Sequence, residues 1–356
     1  MNGMKVFTPV GLPNKPSVVN RVVELPVASN NPQPAVENLF TLKPANEWID
    51  LAKNQPMPNM LFGPLWHEGE LCILTADTNI GKSILGVQIA DCITKDIGSY
   101  YLPFRAQPQA VIYGDFELSY KQFENRYSAE YQNHYKFSDR FYRLEINPDF
   151  SQLSDFNEQL MVNLELLIEQ TGARIVIIDN LTFLRTQSMD TAKEALPLMQ
   201  RLKALKTKHG LSMLVLAHTP KRSLYNPLTR NDIAGSKHLA NFADSIFAIG
   251  ESAIDKSCRY IKQLKARATE IVFDAENVLE CRIVKDFNFL KFEFTGTGYE
   301  KDHLQSEPEK EELEQRVLEI QKEKPHASLR EIAAELGTNQ VRVMRILKRN
   351  NIKSEQ

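Results

Sequence analysis

The stretch Leu71-Cys72-Ile73-Leu74-Thr75-Ala76-Asp77-Thr78-Asn79-Ile80-Gly81-Lys82-Ser83-Ile84 decides how the rest of the chain is read. Leu71 to Leu74 is an apolar run of strand length, and from Ile84 to Ile93 the apolar residues recur at helical spacing. The order is strand, loop, helix. Such a loop wraps its backbone N–H groups around a phosphate while the following helix turns its positive dipole end on the same charge. Ala76, Asp77, Thr78, Asn79, Ile80, Gly81, Lys82, Ser83 and Ile84 form the expected cradle. Gly81 lets the backbone approach, Lys82 reaches for the β and γ phosphates, and the Ser83 hydroxyl ligates Mg2+. Ala76 stands where the first glycine is usual, a departure the looser form of the motif tolerates.

Composition narrows the class without naming a partner. The 356 residues are 42% hydrophobic and 25% charged, as in globular chains, and the formal net charge of −2 provides no global basic field. Any surface for nucleic acid must be local. Cys72, Cys92, Cys258 and Cys281 are widely spaced and form no Cys-x-x-Cys pair, which argues against a zinc site or a disulfide framework. No apolar run has the length of a membrane span, and the start Met-Asn-Gly-Met-Lys has no apolar signal-peptide core. A cytoplasmic protein without a membrane partner is expected.

Read in order, residues 1–45 carry scattered prolines and no sustained period, so they are expected as an extended arm, either packed on a neighbouring subunit or a disordered tail. A short helix is expected at Glu47 to Lys53. After the phosphate-loop helix, strands are expected at Ala110 to Glu117, Arg140 to Ile146, Arg174 to Asn180 and Leu211 to Ala217. Helices through Tyr127, over Gln152 to Thr171 and over Ala192 to His209 alternate with them. Near-continuous apolar strands alternating with helices predict an α/β fold with a mostly parallel sheet buried on both faces. From Ile246 the strands shorten and turn antiparallel. Gly296 to Lys310 is polar and reads as a linker.

Glu117, Asp179 and His218 end three different apolar strands. In an open α/β sheet ligands sit at the carboxyl ends of strands, so all three are expected beside the phosphate loop. Asp179 then holds Mg2+ through water while Ser83 ligates it, and Glu117 polarises the attacking water. Asp115 rivals Glu117, because alternation along a strand puts both on one side. His218, with Thr219 and Lys221, is placed to sense the γ-phosphate.

These features resemble the RecA-like ATPase superfamily, and within it the hexameric RepA-type replicative helicases of plasmids and mobile elements, with the DnaB and RadA groups as relatives. The matching residues are Gly69-Glu70, Ala76 to Ser83, Gly114 to Ser119, Arg126, Ile177 to Leu181, Leu216 to Lys221, Ala234 to Lys237 and Ala240 to Asp244. The resemblance covers about residues 46 to 295. It implies ATP hydrolysis with Mg2+, Glu117 as catalytic base, a homo-oligomer with a nucleotide at each interface, and single-stranded DNA in a central channel. It further nominates Arg230 and Lys237 for DNA phosphates, and Lys265 and Arg267 as a pair reaching into the neighbour's site.

The tail has its own signature. Ser328 and Glu331 make a capping box for a helix that ends at Gly337, and Val341 to Asn350 forms a second helix whose charges are all basic. A supporting helix, Glu311 to Lys324, completes a helix-turn-helix pattern. In that motif Gln340 and Arg342 meet bases of duplex DNA and Arg345, Lys348 and Arg349 meet phosphates. A protein-docking module is the other reading of such a trio. The domains expected are 1–45 arm, 46–295 ATPase, 296–310 linker and 311–356 helix-turn-helix. Three functions compete: a DNA motor, a DNA-bound ATP switch, and a kinase, which would leave the basic tail without a task.

Overall fold

The computed structural model describes residues 40–98, 102–103, 106–147, 156–181, 195–219, 224–232, 237–305 and 307–350. The expected arm up to residue 39, Lys221, Ala234-Gly235-Ser236, the Lys237 side chain and residues 351–356 lie outside them. Two compact units divide the chain, Met1–Pro56 and Met57–Gln356. In the first, α1 spans Ala45–Lys53 and buries none of its residues. Ion pairs Lys43–Glu47 and Lys53–Asp50 run along it.

The second unit is organised by a nine-stranded sheet in the order β11-β10-β9-β8-β1-β7-β6-β2-β5. Its parallel part comprises β1 (Leu71–Ala76), β2 (Val111–Asp115), β5 (Phe141–Leu144), β6 (Ile175–Asp179), β7 (Ser212–His218) and β8 (Ser245–Glu251). The strands β9 (Cys258–Ala266), β10 (Val278–Asp286) and β11 (Phe289–Gly298) extend it antiparallel. The two-residue strands β3 (Ser128–Ala129) and β4 (Asn133–His134) make a separate hairpin that the sequence did not announce.

Both faces of the sheet are covered, which is why its central strands read as unbroken apolar runs. Along β1, Cys72, Leu74 and Ala76 join one core while Leu71 and Ile73 join the other. Helix α2 (Lys82–Lys95) supplies Leu85, Val87 and Ile89 to the first. Helices α4 (Phe156–Thr171) and α5 (Ala195–His209) supply Leu164, Ile168, Leu198 and Leu202 to the second. Short helices α3 (Tyr120–Arg126) and α6 (Lys237–Phe242) follow β2 and precede β8.

The polar run Gly296 to Lys310 departs from its reading as a linker. Its start belongs to β11, and a 3-10 turn follows at Glu300–His303. Glu300 is buried there because Lys262 neutralises it at 2.5 Å. Beyond it come α7 (Glu307–Glu323), α8 (Leu329–Glu335) and α9 (Gln340–Arg349). Val317, Ile320, Ile332, Ala333, Val343 and Leu347 form a core of their own. The Ser328–Glu331 capping box is formed, and the Asn339 side chain caps α9 by accepting from Arg342 N at 2.9 Å.

Candidate active site

The carboxyl ends of β1, β7, β6 and β2 lie side by side, in register: Ala76 pairs with His218 and Asp115 with Asp179. The loop after β1 therefore opens beside the strand ending in His218, and the strand ending in Asp179 is next in order. Gly81 caps α2 at a φ of +110°, a left-handed conformation that favours glycine. A Cβ there would also stand 2.7 Å from Ile283 Cδ1 and 2.9 Å from Phe292 Cζ. The β10–β11 hairpin thus packs directly on the phosphate loop. Gln88 fastens it, donating to Phe292 O at 3.0 Å and accepting from Phe292 N at 2.7 Å.

Lys82 is buried and donates to Ala76 O at 2.9 Å and Asp77 O at 2.8 Å. Its third contact is His218 Nδ1 at 3.0 Å. From His218 the chain of contacts runs on: Asn180 Nδ2 lies 3.1 Å from Nε2 and donates to Glu117 Oε1. Glu117 Oε1 itself stands 3.7 Å from His218 Nε2. Burial pulls the Lys82 ammonium down to about 8, against Asp179, Glu117 and Asp77, which favour its charge. The His218 ring, with Asn180 assisting, holds the Glu117 carboxyl below its ordinary value in spite of partial burial.

Asp115 and Glu117, which strand alternation left equivalent, occupy different environments. The strand ends at Asp115, so Glu117 lies beyond it in a bend. Asp115 is buried; its Oδ1 accepts from Glu117 N at 3.2 Å and Leu118 N at 3.0 Å, and its Oδ2 takes Arg143 Nε at 3.0 Å. Glu117 keeps 44% of its side chain exposed and meets Asn180 and His218. Asp115 shapes the turn that Glu117 stands on.

Asp179 is almost wholly buried at the end of β6. Its Oδ2 accepts from the Tyr113 hydroxyl at 2.6 Å, while Oδ1 is buried with no hydrogen-bond partner among the described residues. Burial pushes this carboxyl up to about 6, although the Ser83 and Tyr113 hydroxyls oppose the shift. An orphaned carboxylate oxygen near a serine hydroxyl is a hard-oxygen donor set of the kind Mg2+ takes beside phosphate. The residues present fit the ion, and Ser83 and Asp179 would hold it.

A family description, AAA domain, matches residues 38–223, more than half of the chain. The chain belongs to the AAA domain family. No curated protein matches it. Among solved structures it is similar to a KaiC-like protein from the hyperthermophilic archaeon Pyrococcus horikoshii OT3, at 13% identity and a TM-score of 0.43, over 64% of this chain and 91% of that one. With its phosphate loop set at the end of a mostly parallel sheet, this AAA domain is a P-loop ATPase.

The remaining nominated residues lie elsewhere in the AAA-domain chain. Lys265, opposite Ile246, and Arg267, just past Ala266 opposite Ser245, lie at the amino end of β8. That is the end of the sheet away from the phosphate loop, which follows the carboxyl end of the parallel strand β1. Lys265 donates to Ala240 O and Ala243 O, and Arg267 pairs with Asp244 at 2.9 Å. Burial draws the Lys265 ammonium below its ordinary value, as does the neighbouring Arg267. Arg230 is exposed in a 3-10 turn at Arg230–Asp232, and Lys237 opens α6. Gln340, Arg345, Lys348 and Arg349 are exposed on α9, with Arg349 bonded to Glu314. Arg342 is instead half-buried against Tyr225.

Asn180 and Tyr113 were given no role from the sequence. Asn180 directly follows Asp179, and Tyr113 stands two positions before Asp115 on the same face of β2. Those placements were the available signals. Among the described residues, no helix is long and apolar enough to cross a membrane.

Proposed function

We propose that this ATPase is a Mg-ATP-driven DNA motor, a RepA-like helicase of a plasmid or mobile element that works in the cytoplasm as a ring of like subunits, foremost a hexamer. The observation that carries the reading is the connected line Lys82–His218–Asn180–Glu117, which links the phosphate cradle to a half-exposed carboxylate. In this role Lys82 leaves the Ala76 and Asp77 carbonyls for the phosphates. Glu117, kept ionised by His218 and Asn180, accepts the proton of the attacking water. Magnesium, when bound, draws charge from the phosphate oxygens. His218 contacts both ends of the line, so loss of the γ-phosphate has a route to the loop after β7.

Lys265 and Arg267 are unable to reach their own phosphate loop from the far end of the sheet, which suits a role in the neighbour's site. Arg230 and Lys237 would line the path of single-stranded DNA. The tail would bind duplex through Gln340, Arg342, Arg345, Lys348 and Arg349, mainly by counterion release. Unwinding of a forked duplex with ATP and Mg2+, abolished by Lys82→Ala, is the expected result. The alternative is a switch that uses ATP to change its grip on DNA, and the engagement of Arg342 by Tyr225 favours it. DNA-stimulated hydrolysis without strand separation would select the switch.

A further inference from the structure

Tyr113 is completely buried in the middle of β2, between the sheet and the phosphate-loop helix. Its hydroxyl lies 2.6 Å from Asp179 Oδ2 and 3.3 Å from the Ser83 carbonyl oxygen. A hydroxyl has one proton to give, and the shorter contact takes it. Oδ2 is therefore committed, and Oδ1 is the oxygen left without a hydrogen-bond partner among the described residues.

The ring has little freedom to move away. Gly86 lies one turn beyond Ser83 on α2, and a Cβ there would stand 3.2 Å from Tyr113 Cε2 and 3.4 Å from the hydroxyl. The missing side chain at residue 86 makes the slot that the ring fills. On its other side Tyr113 stacks on Phe141, with centroids 6.0 Å apart and planes at 27°. A core tyrosine that merely needed a hydrogen-bond partner could use any carbonyl in reach. This one is wedged between the two elements that would hold the cation, bonded to Asp179 and in contact with the Ser83 carbonyl.

We propose that Tyr113 is a positioning residue that locks the Asp179 carboxylate to the phosphate-loop helix, so that Oδ1 alone is offered to the divalent cation of a bound nucleotide. The proposal rests on the nucleotide-binding reading of the site. Partners that orient metal-holding groups typically change metal affinity about 10- to 100-fold when removed. Removing the hydroxyl leaves the carboxylate with the Ser83 hydroxyl but without its anchor on Oδ2, and the group is then free to turn.

The test uses the full chain, ADP, and Mg2+ or Mn2+ as the probe. For Tyr113→Phe, the cation concentration giving half-maximal thermal stabilisation in ADP is expected to rise about tenfold, with ADP uptake in EDTA unchanged. In an Asp179→Asn background the same substitution should no longer change the cation requirement, because the two residues act as one unit. A lowered melting temperature with an unaltered cation requirement, or equal effects in both backgrounds, would assign Tyr113 to packing alone and overturn the proposal. If Tyr113→Phe does not fold, Gly86→Ala, which narrows the slot and keeps the hydroxyl, should raise the cation requirement in the same direction. An unchanged requirement there would overturn the proposal as well. Failure of the wild-type chain to take up ADP at all would instead remove the nucleotide reading beneath it.

Discussion

Arg342 Nη2 donates to the Tyr225 hydroxyl at 2.6 Å, and the guanidinium carbon lies 4.9 Å from the same ring's centroid. One residue comes from the basic helix α9, the other from the loop between β7 and α6. Both segments are proposed DNA contacts, so base reading by Arg342 requires that this pair open. A charge-assisted hydrogen bond and a cation–π contact together contribute roughly 2 kcal/mol when half-buried. Tyr225→Ala is therefore expected to tighten duplex binding by up to about thirtyfold, measured by anisotropy at fixed salt. Tyr225→Phe, which keeps the ring, should give a smaller gain. Equal affinities in all three chains would show that Arg342 is not withheld from DNA.

Asp179 makes the cation-free protein less stable as pH rises. Its folded-state value of about 6 lies above the ordinary 3.8, so between those limits the folded chain binds more protons than the unfolded one. Stability from this group is fully present below 3.8, declines through 6, and stays reduced above it. The loss accumulated across that interval is about 3 kcal/mol, each pH unit between the two limits contributing roughly 1.4 kcal/mol. In EDTA, Asp179→Asn should melt higher than wild type at about pH 7.5 and lose that advantage near pH 4. Mg2+ with nucleotide should stabilise wild type strongly and the variant little. Thermal melts across pH, with and without Mg2+, decide it.

Glu300 holds the loop after β7 to the sheet. Buried at 1% exposure, it accepts from Lys262 Nζ at 2.5 Å and Leu228 N at 2.6 Å. Lys262 in turn donates to Leu228 O at 3.0 Å. Glu300→Ala strands the lysine charge in a poorly solvated place and is expected to cost about 3–5 kcal/mol in urea unfolding. Combining Glu300→Gln with Lys262→Met, which removes the charge and keeps an acceptor for Leu228 N, should recover most of it. A single-variant loss below about 1 kcal/mol, on the order of an exposed pair, would mean that water reaches the site.

What could be read beforehand follows from range along the chain. The phosphate loop, its strand and its helix are local, and their periods show in consecutive residues. Apolar runs ending in Asp179 and His218 were sufficient to foresee a parallel sheet with polar groups at one end. Asp115 and Glu117 were not separable, because what distinguishes them is Arg143, which belongs to β5 and reaches back to Asp115. The packing of Phe292 on Gly81 joins residues more than two hundred positions apart and leaves no local pattern. Gly296 to Lys310 misled through composition: a glutamate counts as polar whether it faces water or, like Glu300, a buried lysine.

Arg267 offers the sharpest test of assembly. In the single chain it pairs with Asp244 at 2.9 Å and keeps 55% of its side chain exposed, so the pair contributes at most about 1 kcal/mol and yields readily to a phosphate. Its own phosphate loop is at the opposite end of the sheet. In a head-to-tail ring the arginine of one subunit would then serve the loop of the next, and every active site would be composite. Lys82→Ala and Arg267→Ala chains should each be inactive alone, one for want of the cradle and the other for want of the guanidinium. Mixed in equal amounts, they should regain about a quarter of wild-type hydrolysis, since each interface needs an intact loop and an intact neighbour. Steady-state ATP turnover of the mixture, compared with the sum of the separate chains, is the measurement. Activity no greater than that sum would confine Arg267 to its pair with Asp244 and take the shared interface out of the mechanism.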